Sequence, residues 1–327
     1  MNNIKIKDMA IYHSENVVDN EYYLNHFQKQ GKDISDFLNL FGRKERYILD
    51  DENETGLTMG IKAANKALQK ANLSAKDIDM IVFTTQVPET TLPSNAIMIH
   101  KALEASSDCI IYDLNANCAG MVIAIEQVSY YMKGNHRINR ALIIGSDYFS
   151  LISDPNDAFT YASFADGAAA VILERTDEDT GFIDAIYYVD PIVADKMMYP
   201  AEGLAKGILE TKDLKYIKNS PMDGTVTHEP THNMISTLLE RNGLKPKDAK
   251  YCFSQLSLNN INRIKGRLEL TDEQVVYVGD RFGYTGTSSP IIALHEGVES
   301  GQINRNDYVV FWTIAAGFEL IAMLYKY

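Results

Sequence analysis

Apolar and polar positions alternate along this chain between two regimes. Short, continuous apolar stretches (Ile78 to Thr85, Cys109 to Leu114, Arg140 to Gly145, Ala168 to Leu173, Tyr308 to Thr313) have the β-branched content and length of buried strands. Between them, apolar residues fall at helical spacing. Residues 55–71 form one such stripe, a second follows the Pro/Thr-rich loop Gln86 to Pro93 as far as about Ala105, and a third follows Gly120 and ends at Gly134. Helices alternating with buried strands predict a layered α/β fold with helices covering both faces of its sheets. Residues 175–225 lose the pattern and read as loops, either an insertion that shapes a pocket or a surface excursion.

The pattern repeats. Asn72-Leu73-Ser74-Ala75-Lys76-Asp77 before one apolar run resembles Gly243-Leu244-Lys245-Pro246-Lys247-Asp248 before another, and the aspartates are 171 positions apart (248 − 77). Ile138-Asn139-Arg140 is echoed by Ile303-Asn304-Arg305 at an offset of 165 (305 − 140). Two echoes in the same order predict a duplicated α/β unit, with halves at 1–175 and 176–327. Packed helix against helix, such halves place the helix after Cys118 in a central layer.

Composition narrows the possibilities. The 327 residues are 46% hydrophobic and 23% charged, as in a globular protein, and no apolar run is long enough to span a bilayer. A net charge of −13 argues against general nucleic-acid binding, which needs clustered Lys and Arg. Two local basic groups stand against it: Arg43-Lys44-Glu45-Arg46, and Arg263, Lys265 and Arg267. The N-terminal residues lack the apolar segment of a signal peptide. Three cysteines make neither a disulfide framework nor a metal site. The expectation is a reduced, cytoplasmic protein without a metal.

Cys118 is the residue with chemical promise. It falls between an apolar strand and an amphipathic helix, beside the small residues Ala119 and Gly120. A helix N-terminus favours negative charge and lowers a thiol pKa. Read alone, the segment fits either a nucleophile or a core thiol packed under a helix.

The segment Asp-Leu-Asn-Ala-Asn-Cys-Ala-Gly-Met around Cys118 resembles the active-site cysteine segment of the 3-oxoacyl-(acyl carrier protein) synthase III group of the thiolase superfamily. Gly42-Arg43-Lys44-Glu45-Arg46, Leu92-Pro93-Ser94, Phe164 to Ala170, Met222-Asp223-Gly224 and Ala315-Ala316-Gly317-Phe318 are similar to further landmarks of that family, in order along nearly the whole chain. The resemblance implies a five-layer αβαβα thiolase-like fold of two similar halves and a homodimer with Leu92 in an interface loop at the acyl site. It implies an acyl tunnel ending at the cysteine and thioester substrates carried on coenzyme A or acyl carrier protein, with no other cofactor. It also implies an oxyanion site from the backbone N–H groups of Cys118 and Gly317. Lys44 and Arg46, near the tunnel mouth, would contact acyl-CoA, and Arg263 and Arg267 would dock the acidic carrier, although Asn259 stands at the best-matched docking position.

Two family positions depart from the pattern. Ser254, in Ser254-Gln255-Leu256-Ser257, stands where the resemblance implies His, and Tyr284 stands where it implies Asn. That His–Asn pair serves decarboxylation in the family. Tyr284 either donates its O–H to a substrate carbonyl or fills space, and Ser254 is a weak acid–base group. His228, His232 and Glu89 are alternative bases. The functional expectation is an acyltransferase or condensing enzyme in fatty-acid-related or specialised-metabolite biosynthesis. It forms an acyl-thioester on Cys118 without the usual pair. The alternative is a subunit of a synthase heterodimer.

Overall fold

The computed structural model describes residues 3–209 and 215–327. Two mixed sheets carry the fold. In the first, Asn3–Tyr12, Asp166–Thr176, Arg140–Tyr148, Met80–Thr84 and Ile110–Leu114 lie side by side in that order. In the second the order is Ala249–Phe253, Tyr308–Ala315, Glu319–Lys326, Gly181–Val189. Met80–Thr84 is parallel to both neighbours and Ala249–Phe253 is parallel to Tyr308–Ala315, while the other pairs in both sheets are antiparallel.

Four strands of the first sheet thus reappear in the second with the same order and directions. The repeated Lys-Asp turns fold alike too, because each aspartate caps its own 3-10 turn: Asp77 accepts from Ser74 N–H at 2.8 Å and Asp248 from Lys245 N–H at 2.8 Å. The sequence echo is therefore a structural duplication. Among the described residues, Ile110–Leu114 has no counterpart in the second sheet, and it forms an edge of the first.

Helices sort into three layers around these sheets. Gly120–Gly134 and Ser289–Glu299 lie between the sheets, where Val122, Ile125, Ile291 and Leu294 share one core with Val82 and Ile143 of the first sheet and Phe311 and Ile321 of the second. Gly56–Lys70 and Asn95–Leu103 cover the outer face of the first sheet, packing Met59, Ala63 and Ile99 onto Ile81 and Phe83. His228–Arg241 and Leu258–Leu268 cover the second sheet through Leu238 and Ile261, against Phe253 and Trp312. Val82 points inward and its neighbours Ile81 and Phe83 outward, so a strand covered on both faces is apolar on both, here from Met80 to Phe83. This is the five-layer thiolase-like arrangement.

Three strands of the two sheets lie outside the apolar stretches of the sequence: Asn3–Tyr12, Glu319–Lys326 and Gly181–Val189. Gly181–Val189, in the stretch read as loops, pairs with Glu319–Lys326. It is an edge strand buried only at Gly181 and Phe182, and its half-exposed middle mixes polar with apolar residues. Among the described residues, no helix is long and apolar enough to cross a membrane.

Candidate active site

Strand Ile110–Leu114 gives way to a short turn in which Asn117 adopts φ +49°, a left-handed conformation that Asn tolerates. One 3-10 turn, Asn117–Ala119, then feeds the helix Gly120–Gly134. A Cβ at Gly120 would lie 2.8 Å from Thr287 Oγ1 and 3.0 Å from Thr84 Cβ, so a larger residue would push the helix start away from its seat. That seat is polar: Met121 N–H donates to Thr287 Oγ1 at 2.9 Å, and the hydroxyls of Thr287 and Thr84 are 2.8 Å apart. Thr313 Oγ1 donates to the Cys118 carbonyl at 3.3 Å. Strands of both halves therefore fix the backbone at Cys118.

Cys118 opens on a cavity of about 550 Å³ at the carboxyl ends of the parallel strands. Phe149, Ile152, Phe164 and Ile217 pack around the thiol, and Val193, Asn260 and Gly317 line the cavity from the second half. Among the described residues, its lining contains no Asp, Glu, His, Lys or Arg, and its titratable side chains are Cys118, Tyr199 and Tyr284.

Tyr284 sits where strand-like pairing holds its backbone: its N–H donates to Ser163 O at 3.1 Å and its carbonyl accepts from Ala165 N–H at 2.9 Å. Its ring lies 5.5 Å from that of Phe164 and 6.1 Å from that of Phe149. The phenol oxygen is buried beside Cys118 and Ser254 and meets neither with full hydrogen-bond geometry. Ser254 Oγ is likewise buried without a partner among the described residues. The sequence-predicted trio thus converges, with Ser254 behind Tyr284 and outside the cavity lining.

Burial dominates the electrostatics. The Cys118 thiol is pushed up to about 11, first by loss of solvent and further by the charge of Asp147, and the contact with Tyr284 draws it partly back. This corrects the expectation of a lowered thiol pKa: the helix N-terminus is present, but the sulfur is enclosed by aromatic rings, and among the described residues no cation lines its cavity. Burial, then the neighbouring thiol, also hold Tyr284 well above its ordinary range, so its hydroxyl is a neutral donor.

The basic residues divide. Arg46 is a correction: its side chain is wholly buried, donates to Ala162 O and Asn20 Oδ1, each at 3.1 Å, and lies 4.0 Å over the Tyr23 ring. A guanidinium so enclosed is structural and does not meet substrate. Lys44 is exposed, pairs with Asp280 at 3.1 Å and stands outside the cavity lining. Arg263 and Arg267 flank a narrow groove with His228 and His232, and Thr227 and Asn260 line both this groove and the main cavity. Arg267 pairs with Glu229 at 2.6 Å. Neither histidine lines the main cavity, and Glu89 lies on an exposed loop. Leu92 is 90% exposed on the same loop and does not line its own chain's cavity. Gly317, at φ +85°, does line it.

Sequence reasoning missed Gln86 and Asp147. Gln86 Oε1 accepts from Cys118 Sγ at 3.5 Å, and Asp147, wholly buried, binds the Gln86 amide. An acidic residue at the end of the apolar run Arg140–Tyr148 was the available signal.

The comparisons agree with this architecture. Residues 112–191 match the family described as 3-Oxoacyl-[acyl-carrier-protein (ACP)] synthase III, and residues 219–327 match its C-terminal part. A beta-ketoacyl-[acyl-carrier-protein] synthase III from Xanthomonas campestris pv. campestris is 30% identical over 291 residues, covering 88% of this chain and 87% of that protein. One from Aquifex aeolicus is 28% identical over 288 residues, 88% of each chain. The crystal structure of the 3-oxoacyl-[acyl-carrier-protein] synthase III from Aquifex aeolicus VF5 superposes with a TM-score of 0.86 at 25% identity, covering 99% of this chain and 100% of that one. With its duplicated halves, its central helix layer and relatives matched over most of their length, the chain belongs to the 3-oxoacyl-[acyl-carrier-protein] synthase III family of condensing acyltransferases.

Proposed function

We propose that Cys118 accepts an acyl group from acyl-CoA or an acyl carrier protein and passes it to an acceptor without decarboxylating a malonyl unit. The observation that carries this reading is the thiol set in an apolar cavity whose described lining holds no charged side chain. An acyl chain fits such walls, while nothing there offers the imidazole that the family uses with Asn. In the first step, Sγ of Cys118 attacks the thioester carbonyl, the carbonyl-to-donor C–S bond breaks, and the donor leaves as a free thiol carrying the proton from Cys118. Backbone N–H groups of Cys118 and Gly317 stabilise the oxyanion, a contribution of about 10²–10³ in rate per donor where it has been tested. Tyr284, a neutral donor, hydrogen-bonds the acyl or acceptor carbonyl, and Ser254 supports the phenol from behind.

With a thiol at about 11, the thiolate is roughly 10⁻⁴ of the population at neutral pH, so proton loss accompanies attack rather than precedes it. The acceptor then supplies its own nucleophile, which favours a group active when neutral, such as an amine. Arg263 and Arg267, beside the groove that shares Asn260 with the cavity, dock the acidic carrier. A homodimer pairs the open strand Ile110–Leu114, whose side chains are all half-buried in the single chain, and brings the exposed Leu92, Ile97 and Met98 into contact with a partner. Incubation with an acyl-CoA and malonyl carrier protein tests the reading. Acyl transfer without carbon dioxide release is expected, and stoichiometric release with a ketoacyl product would overturn it.

A further inference from the structure

Asp147 is buried where no cation among the described residues pairs with it, and it is used instead as a fourfold acceptor. Oδ1 takes hydrogen bonds from Gln86 N–H at 2.7 Å and Thr85 Oγ1 at 3.2 Å. Oδ2 takes them from Gln86 Nε2 at 2.9 Å and Thr287 N–H at 2.9 Å. Gly286, at φ +61°, makes this approach possible, because a Cβ there would lie 2.2 Å from Oδ2. Three segments therefore converge on one carboxylate: the end of strand Met80–Thr84, the turn at 285–287 and the end of strand Arg140–Tyr148. Thr287 carries the connection onward to the Cys118 helix through Met121 N–H.

The consequence concerns the amide. A side-chain amide can ordinarily be turned either way, but a carboxylate only accepts hydrogen bonds. Asp147 thus requires the Gln86 NH₂ on its own side, and the opposite face of the amide, Oε1, is the one presented to Cys118 Sγ at 3.5 Å. The double hold on Gln86, through backbone N–H and side chain, leaves this orientation no freedom.

We propose that Gln86 is a positioning residue for Cys118: its amide oxygen, locked by Asp147, accepts a hydrogen bond from the S–H and turns the sulfur lone pairs toward the cavity. Gln86 is no base, since an amide oxygen does not take up the proton. It sets the direction from which the thiol meets an incoming carbonyl. The geometric part stands on the resting protein, whereas its effect on rate rests on the proposed nucleophilic role of Cys118.

Infrared spectroscopy of the S–H stretch separates the two. The difference between wild-type and Cys118→Ser spectra isolates the Cys118 band from those of Cys109 and Cys252. In the wild type the band falls at the lowered frequency of a hydrogen-bonded thiol. Gln86→Leu returns it to the free-thiol position, and Asp147→Asn, which unlocks the amide, broadens or shifts it the same way. Acylation by acyl-CoA, followed by intact mass, slows about tenfold in Gln86→Leu at saturating donor with little change in half-saturation, the loss of one hydrogen bond. A band unmoved by Gln86→Leu overturns the positioning, as does a shifted band with acylation at the wild-type rate. A shifted band in a protein whose wild type gains no adduct upholds the geometry and overturns the nucleophile instead. Should Gln86→Leu not fold, Gln86→Met keeps the side chain's length without the amide and is read in the same way.

Discussion

Tyr284→Phe separates stability from activity in opposite directions. The Tyr284 hydroxyl is buried with no hydrogen-bond partner among the described residues, and a buried polar group left so costs about 1–3 kcal/mol. Phenylalanine keeps the ring and its packing against Phe149 and Phe164, because only the oxygen is removed. The variant should therefore be more stable by about 1 kcal/mol or more, read as a higher urea midpoint with an unchanged slope. If the hydroxyl serves as donor to a substrate carbonyl, its loss removes a bond made only in the reacting complex. Acyl transfer should then fall by about 10- to 100-fold, the equivalent of about 1.4–2.7 kcal/mol. The assays are equilibrium unfolding and the rate of acyl adduct formation and discharge on one preparation. A less stable Tyr284→Phe protein would mean that the hydroxyl has a structural partner. A stabilised variant with wild-type rates would mean that it only fills space. Either result refutes the role given to Tyr284.

Other outcomes follow from the same geometry. Alkylation of Cys118 by iodoacetamide should climb steadily with pH toward about 11, and a plateau near neutrality would contradict the burial that raises the thiol. Asp166, buried and accepting from Leu49 N–H and Ser150, is raised to about 6 by loss of solvent, above its unfolded value of 3.8. Its contribution to stability is thus complete below about pH 4 and lost as pH rises through about 6, at most about 3 kcal/mol, and Asp166→Asn should abolish that part of the slope in urea midpoints between pH 4 and pH 7. Arg46→Met should cost about 2–4 kcal/mol of stability, because it orphans the Ala162 carbonyl and Asn20, while leaving half-saturation by acyl-CoA unchanged; a weakened half-saturation in a folded variant would restore Arg46 to the substrate site. Light scattering should return a dimer that Leu92→Asp together with Met98→Asp dissociates, and a monomeric wild type would refute pairing through Ile110–Leu114.

What was legible in the sequence follows from how each feature is encoded. Doubly covered strands such as Met80–Thr84 are apolar at successive positions rather than alternate ones, so they stand out, and the paired Lys-Asp turns give the duplication because each aspartate caps its own turn. Gly181–Val189 was lost because an edge strand need not be apolar throughout. Cys118 was legible from its place between strand and helix. Its pKa was not, since the aromatic enclosure comes from Phe149, Phe164 and Tyr284, distant in sequence. Arg46 illustrates the same limit. A basic cluster looks like a ligand contact until tertiary structure turns one guanidinium inward over Tyr23 and leaves Lys44 on the surface. Gln86 and Asp147 carry no local motif, because their roles exist only where two strand ends meet.

The most direct measurement is the intact mass of the protein after incubation with acyl-CoA, for the wild type and for Cys118→Ala. The expected result is a single acyl adduct on the wild type, labile to hydroxylamine as a thioester is, and none on Cys118→Ala. An unmodified wild type, or an adduct that persists in Cys118→Ala, would contradict an acyl-accepting thiol at Cys118.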